Sequence, residues 1–323
     1  MTSIGRCVIT PVHPFVSLPF HRLLRPYPDM FKRVTLNGKH ICFFLNLFYF
    51  YGAGVAGKGS TLASQALSLV EWQRSFPRPI PELDSWSLSN LSSLCIWTGV
   101  TCDEKDQTIS KLNLSEIVLN ATLAEFKFDA LSDLTSITLD GTALGGTIPA
   151  AIGNLSKLGF LYLSQNFLVG EIPLEFWSLT ELQELNVSSN FLSGSIPPEI
   201  GGMKKLRVLD FSMNKFDSFL PDNISLLTYL TDFYVNSNRF SDHFPANFGK
   251  DMPNLTNVQL SNNRFLGELP PEMCSGFALE KLLVNVNIFT GSLPACLKNC
   301  RRLRSLRLDD NDFTGNITDA FGY

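Results

Sequence analysis

Between Leu134 and Thr318 the apolar positions of this chain fall into one order that is written eight times. The clearest copies are LGFLYLSQNFLVGEIP (Leu158 to Pro173) and LQELNVSSNFLSGSIP (Leu182 to Pro197); the others begin at Leu134, Leu206, Leu230, Leu255, Leu279 and Leu303. Each copy opens LxxLxL, an alternation that predicts a short strand whose side chains point in and out by turns. In the copy from Leu158, Leu161 and Leu163 are expected inside, with Phe160, Tyr162 and Ser164 outside. An Asn follows at Asn166, Asn190, Asn214, Asn238, Asn263, Asn287 and Asn311, a period of 24 with one step of 25. Thr142 takes that place in the first copy, and a blurred earlier copy runs from Ile109 to Leu119. The Asn amide is expected to turn the chain off the strand and to satisfy buried backbone groups, which cost about 1–3 kcal/mol each when unpaired. Next comes an apolar residue for the convex half of the core: Phe167 or Leu168, then Phe216, Phe240, Phe265, Phe289 and Phe313. Gly170, Gly194, Gly267, Gly291 and Gly315 then allow the bend that precedes an Ile-Pro or Leu-Pro step.

A unit of this length cannot bury its apolar side alone, so successive units must stack. A fixed period in this range with LxxLxLxxN inside it predicts an α/β leucine-rich-repeat solenoid, curved, with a parallel sheet on its concave face. The GxIP wording resembles the plant-type subclass of such repeats, found in extracellular receptors.

Ahead of the repeats, SQALSLVEWQRSF (Ser64 to Phe76) sets Ala66, Leu69, Val70 and Phe76 at roughly helical spacing, with Leu67 and Trp72 nearby. LDSWS (Leu83 to Ser87) and CIWTGVTC (Cys95 to Cys102) follow. The first coil has no neighbour, so a helix and a turn closed by a Cys95–Cys102 disulfide are expected to cover its open end, with Trp97 packed beneath. The segments that follow from this are an upstream extension over 1–29, a signal peptide over 30–57, a cap over 60–107 and about nine repeats over 108–323.

From Thr61 onward these features resemble the ectodomains of plant leucine-rich-repeat receptor-like kinases and receptor-like proteins. LPPEMC (Leu269 to Cys274) and the stretch Asn287 to Gly322 resemble receptor kinases that sense secreted peptides. Those ectodomains carry many more repeats, then a membrane helix and a kinase, so the resemblance implies a truncated ectodomain that lacks a C-terminal cap. One period after Cys274 falls at Lys298, which leaves Cys296 and Cys300 equally near in register. The resemblance alone implies pairing of Cys274 with Cys300, with Cys296 left odd.

Charge sharpens the picture. Residues 1–59 hold seven basic residues (Arg6, Arg22, Arg25, Lys32, Arg33, Lys39, Lys58) against Asp29 alone, so the rest of this chain of net charge −4 is strongly acidic. An acidic solenoid has no electrostatic footprint for nucleic acid. From Met30, a basic stretch, the apolar run Ile41 to Tyr51 and the small residues Gly52 to Gly57 follow the order of a secretory signal peptide. That run is too short for a membrane span. GAGVAGKG (Gly52 to Gly59) nearly spells a phosphate-binding loop, but Gly59 occupies the Ser/Thr place and no alternating strand–helix domain follows. Eight sequons, at Asn90, Asn113, Asn120, Asn154, Asn186, Asn223, Asn254 and Asn316, agree with a glycosylating, oxidising route to the cell surface or apoplast.

No strand-Lys, HRD or DFG constellation is present, and His243, the one histidine of the repeats, falls at a solvent-facing turn without a nucleophile beside it. The expected function is recognition rather than catalysis, with no cofactor or metal implied. The resemblance implies a secreted peptide or protein ligand, or a co-receptor ectodomain, in signalling or defence. The alternative is a secreted inhibitor of a pathogen cell-wall enzyme, similar to the polygalacturonase inhibitors. Reading the outward places of LxxLxLxx gives the candidate contacts Phe160, Tyr162, Glu184, Asp210, Asp232, Tyr234, Gln259, Lys281, Arg307 and Asp309. Asn186 shares their register, so its sequon is expected to be empty if that face binds.

Overall fold

The computed structural model describes residues 61–322 and the backbone of residues 31–36 and 39–44. Phe31–Leu36 pairs antiparallel with Lys39–Phe44 in a unit by itself. The extension over 1–29 and the rest of the signal-peptide segment over 30–57 lie outside the described residues.

From Thr61 the chain opens with the expected helix, Leu62–Arg74, capped by Thr61, whose Oγ1 accepts from the Ser64 N–H. Ala66, Leu69, Val70 and Trp72 are buried, whereas Leu67 points to solvent. Two polar bonds fasten the helix to the first coil. Trp72 Nε1 donates to the Thr122 carbonyl at 2.8 Å, and Gln65 Oε1 accepts from the Ile109 N–H at 2.9 Å. The Cys95–Cys102 disulfide is formed, with Cα atoms 5.3 Å apart, and Trp97 is buried against Trp86.

Ten strands form the concave sheet. Val100–Cys102 lies antiparallel to Ile109–Asn113, and eight parallel strands follow, from Ser136–Thr138 through Phe160–Tyr162, Glu184–Asn186, Val208–Asp210 and Asp232–Tyr234 to Ser305–Arg307. The repeat period sets their register: Leu161 stands opposite Leu185, and Leu185 opposite Leu209. A second set of short parallel strands lines the lateral side, Gly145–Gly146, Phe167–Gly170, Phe191–Gly194 and Lys215–Phe216, then Ser241–His243, Arg264–Gly267, Ile288–Gly291 and Asp312–Phe313. Short 3-10 helices such as Leu174–Ser178 and Pro198–Gly202 form the convex side.

The Asn ladder is present and does what its chemistry predicts. Asn190 Nδ2 donates to the carbonyls of Leu163, Val187 and Ser188, and its Oδ1 accepts from the Leu168 N–H at 2.9 Å. Thr142 keeps one of these bonds, donating to the Leu139 carbonyl at 2.9 Å. On the convex side Phe216, Phe240, Phe265, Phe289 and Phe313 stack in a spine with centroids 5.8 to 6.2 Å apart. Of the pair Phe167 and Leu168, the core takes Leu168; Phe167 is exposed.

One pairing differs from expectation. Cys274 bonds Cys296, with Cα atoms 5.7 Å apart, and Cys300 is a buried free thiol, so the Cys274–Cys300 pairing is corrected. The reason lies in how coils nest. Cys300 ends the 3-10 helix Ala295–Asn299, the place held by the buried Leu155, Leu179, Met203 and Leu227 in other coils, so it faces the core. Two residues before that place, the neighbour across the coil boundary lies 22 residues on. A Cβ on Gly153 would sit 2.9 Å from the Cβ of Glu175, and one on Gly201 2.9 Å from that of Asn223. Cys274 occupies this contact place, and 22 residues on stands Cys296.

Candidate recognition surface

The concave sheet collects the outward side chains into two files, fixed by strand pairing. One file runs Phe160, Glu184, Val208, Asp232, Asn257, Lys281; the other runs Tyr162, Asn186, Asp210, Tyr234, Gln259, Leu283, Arg307. Nine of the ten sequence candidates fall on these files, and Asp309 stands just beyond the last strand. Phe160, Tyr162, Glu184, Asp210, Asp232, Tyr234, Gln259 and Lys281 are half-buried, while Arg307 and Asp309 are exposed.

Many of these groups have partners already. Tyr162 Oη donates to Glu184 on the next coil. Tyr234 Oη donates to Asp232 Oδ1 at 2.8 Å, and the same carboxylate accepts from Asn257 Nδ2 and from Thr231 Oγ1, both at 2.6 Å. Burial raises the pKa of both phenols, helped by the carboxylate each one binds, so both keep their protons and act as donors. Arg307 lies 2.8 Å from Asp309, which it holds below the usual carboxylate range. That pair is fully solvated, where ion pairs contribute little.

Asp210 faces Tyr234 in register, and burial pushes its carboxyl up against the hydrogen bonds it accepts from Ser212 and Ser188. Asp232 accepts three donors of its own, so a cationic ligand group seeking both carboxylates would have to displace them.

A device that sequence reasoning missed underlies this file. Asn113, Asn186 and Asp210 each accept the backbone N–H of the Ser two residues on, at 3.1, 2.9 and 2.9 Å. Its signal is an Asx-x-Ser spacing at the strand end, and at Asn113 and Asn186 the same three residues spell a sequon. Six sequon asparagines are exposed; Asn186 and Asn223 are half-buried. His243 is exposed, as the sequence suggests, but it ends the lateral strand Ser241–His243 instead of lying in a turn, with Nδ1 2.9 Å from Asp242 Oδ1.

Comparison with known proteins agrees with this architecture. Residues 62–103 match the leucine rich repeat N-terminal domain, and residues 181–203, 205–227 and 254–275 match the Leucine Rich Repeat family. Receptor-like protein 31 of Arabidopsis thaliana is 35% identical over 141 residues, 37% of this chain and 15% of that protein. Among solved structures, the ectodomain of the Arabidopsis thaliana membrane receptor kinase GASSHO1/SCHENGEN3, in complex with CASPARIAN STRIP INTEGRITY FACTOR 2, superposes with a TM-score of 0.73 at 28% identity. That match covers 79% of this chain and 31% of that one. The plant peptide hormone receptor RGFR1, in complex with RGF2, gives 0.52 at 31% identity over 59% of this chain and 35% of that one. The chain thus spans well under a fifth of its first curated relatives and about a third of these ectodomains. Among the described residues no helix is long and apolar enough to cross a membrane.

Proposed function

We propose that this chain, a leucine-rich-repeat protein similar to plant receptor-like kinases and receptor-like proteins, is an extracellular recognition module. On this reading it takes a secreted peptide or a partner ectodomain against its concave sheet, in cell-surface signalling or defence. The observation that carries the proposal is the pair of tyrosines held at the surface by carboxylates, Tyr162 by Glu184 and Tyr234 by Asp232. A fixed aromatic ring loses little freedom on binding, and rigid aromatics supply a large share of interface energy. The peptide-hormone and membrane receptors among its structural neighbours support the same class of ligand.

The test begins with purified secreted chain screened against a panel of synthetic secreted plant peptides by thermal shift. A binder is then measured on the double variant Tyr162→Ala/Tyr234→Ala. An affinity loss of roughly tenfold or more, with unfolding temperature little changed, is expected for two anchors. Unchanged affinity in the double variant would move the site off the concave face. Inhibition of a fungal polygalacturonase without peptide binding would favour the inhibitor alternative.

A further inference from the structure

The lateral side carries a second, differently built surface. The residue after the ladder Asn opens the lateral strand at Phe167, Phe191, Lys215 and Arg264 and lies two residues ahead of it at Arg239. On five consecutive coils it is Phe167, Phe191, Lys215, Arg239 and Arg264, all exposed. Backbone bonds join successive coils here: Phe191 pairs with Val169 and Lys215 with Ser193, the Arg239 N–H donates to Phe216 O and the Arg264 N–H to Phe240 O. The stripe is therefore part of one hydrogen-bonded framework rather than a set of unrelated surface residues.

Its two ends differ in chemistry. Phe167 and Phe191 are 58% and 43% exposed, with Val169 beside them at 43%, and their rings stack with centroids 6.4 Å apart. Lys215 Nζ lies 4.8 Å above the Phe191 ring. Among the described residues no ion pair engages Lys215, Arg239 or Arg264, although Asp217 and Asp242 lie on the same side and the solenoid as a whole is acidic. The concave candidates contrast with this, because their charged and phenolic groups largely satisfy one another. The eight sequons also spare the stripe: none falls within Phe167–Gly170, Phe191–Gly194, Lys215–Phe216, Ser241–His243 or Arg264–Gly267, whereas Asn113 and Asn186 lie on concave strands.

We infer that this lateral stripe is a docking surface, separate from the concave face, for an acidic extended segment of a partner protein that carries an apolar side chain at one end. Three unpaired cations in file call for several carboxylates, and the apolar end calls for a side chain to cover the exposed Phe rings. A protein segment fits better than a polysaccharide. The Phe191 ring already has Phe167 stacked beside it and Lys215 over it, whereas a sugar ring stacks on an open aromatic face. With coils about 4.8 Å apart, the stripe is roughly 19 Å long, the reach of about six extended residues.

The test uses the full secreted chain and a fluorescein-labelled synthetic peptide of two leucines followed by alternating glutamate and glycine, read by anisotropy at low ionic strength. Binding is expected to the native chain, to weaken with added salt, and to fall about tenfold in Lys215→Ser/Arg239→Ser/Arg264→Ser. It is also expected to fall in Phe167→Ser/Phe191→Ser and to persist in Tyr162→Ala/Tyr234→Ala, which separates this surface from the concave one. Should the triple variant unfold at a lower temperature than the native chain, the charge reversal Arg239→Glu alone decides. Undiminished binding by that variant or by the folded triple variant overturns the inference, as does failure of the peptide to bind the native chain. Tighter binding of an oligogalacturonate than of the peptide would make the stripe a polysaccharide site and overturn it too.

Discussion

Tyr234 donates its phenolic hydrogen to Asp232, two residues back on the same strand, at 2.8 Å. The bond holds the ring against the concave sheet, so the side chain that we propose as an anchor is oriented before any ligand arrives. The same bond sets a pH dependence. Burial and the neighbouring carboxylates raise the Tyr234 pKa above its ordinary 10.0, and the same holds for Tyr162 beside Glu184.

A group whose folded-state pKa is raised adds stability that is fully present below its unfolded pKa and is lost as pH rises through the folded value. The native chain should therefore lose stability on going above pH 10. Tyr162→Phe/Tyr234→Phe should cost about 1 kcal/mol or less per hydroxyl at neutral pH. Its unfolding temperature should fall less steeply with alkali than that of the native chain. Parallel alkaline profiles for the two proteins would show that the phenols do not carry this linkage.

The Asn ladder makes a graded prediction. Asn190→Ala strands the Leu168 N–H inside the solenoid and leaves the Leu163 carbonyl with Asn166 as its amide donor, a loss of about 1–3 kcal/mol, which should lower Tm by several degrees. Asn238→Ala should cost less, because its bonds to Phe211 O and from Phe216 N–H are only partly buried and water can replace them. Equal losses at the two sites in calorimetry would mean that burial does not set the value of a ladder bond.

The cysteines make a covalent prediction. Non-reducing peptide mapping should recover Cys274 linked to Cys296, with Cys300 alkylated only after denaturation. Cys274→Ala should destabilise by about 2–4 kcal/mol through the released loop, more than Cys300→Ala, which trims one small core side chain. Recovery of a Cys274–Cys300 peptide would contradict this register.

The sequence by itself determined the solenoid, its concave strands and the Asn ladder. The reason is that all of these repeat with the chain's own period of 24, so Leu161, Leu185 and Leu209 fall into line by counting. The cap was legible too, because its Cys95–Cys102 pair and its helix are local in the chain.

Away from the concave face, the tertiary structure decided the neighbours. There the coils nest with a stagger, and contacts fall 22 residues apart: Cys274 with Cys296, and the Leu168 N–H with Asn190. Counting by the period leads from Cys274 to Lys298, and no local feature of the chain records the two-residue offset. The same stagger pairs Val169 with Phe191 and Ser193 with Lys215 on the lateral side. Whether Phe167 or Leu168 enters the core was decided in the same way, since both are apolar and adjacent. Only the direction of the lateral strand sends one inward to the core and leaves the other in solvent.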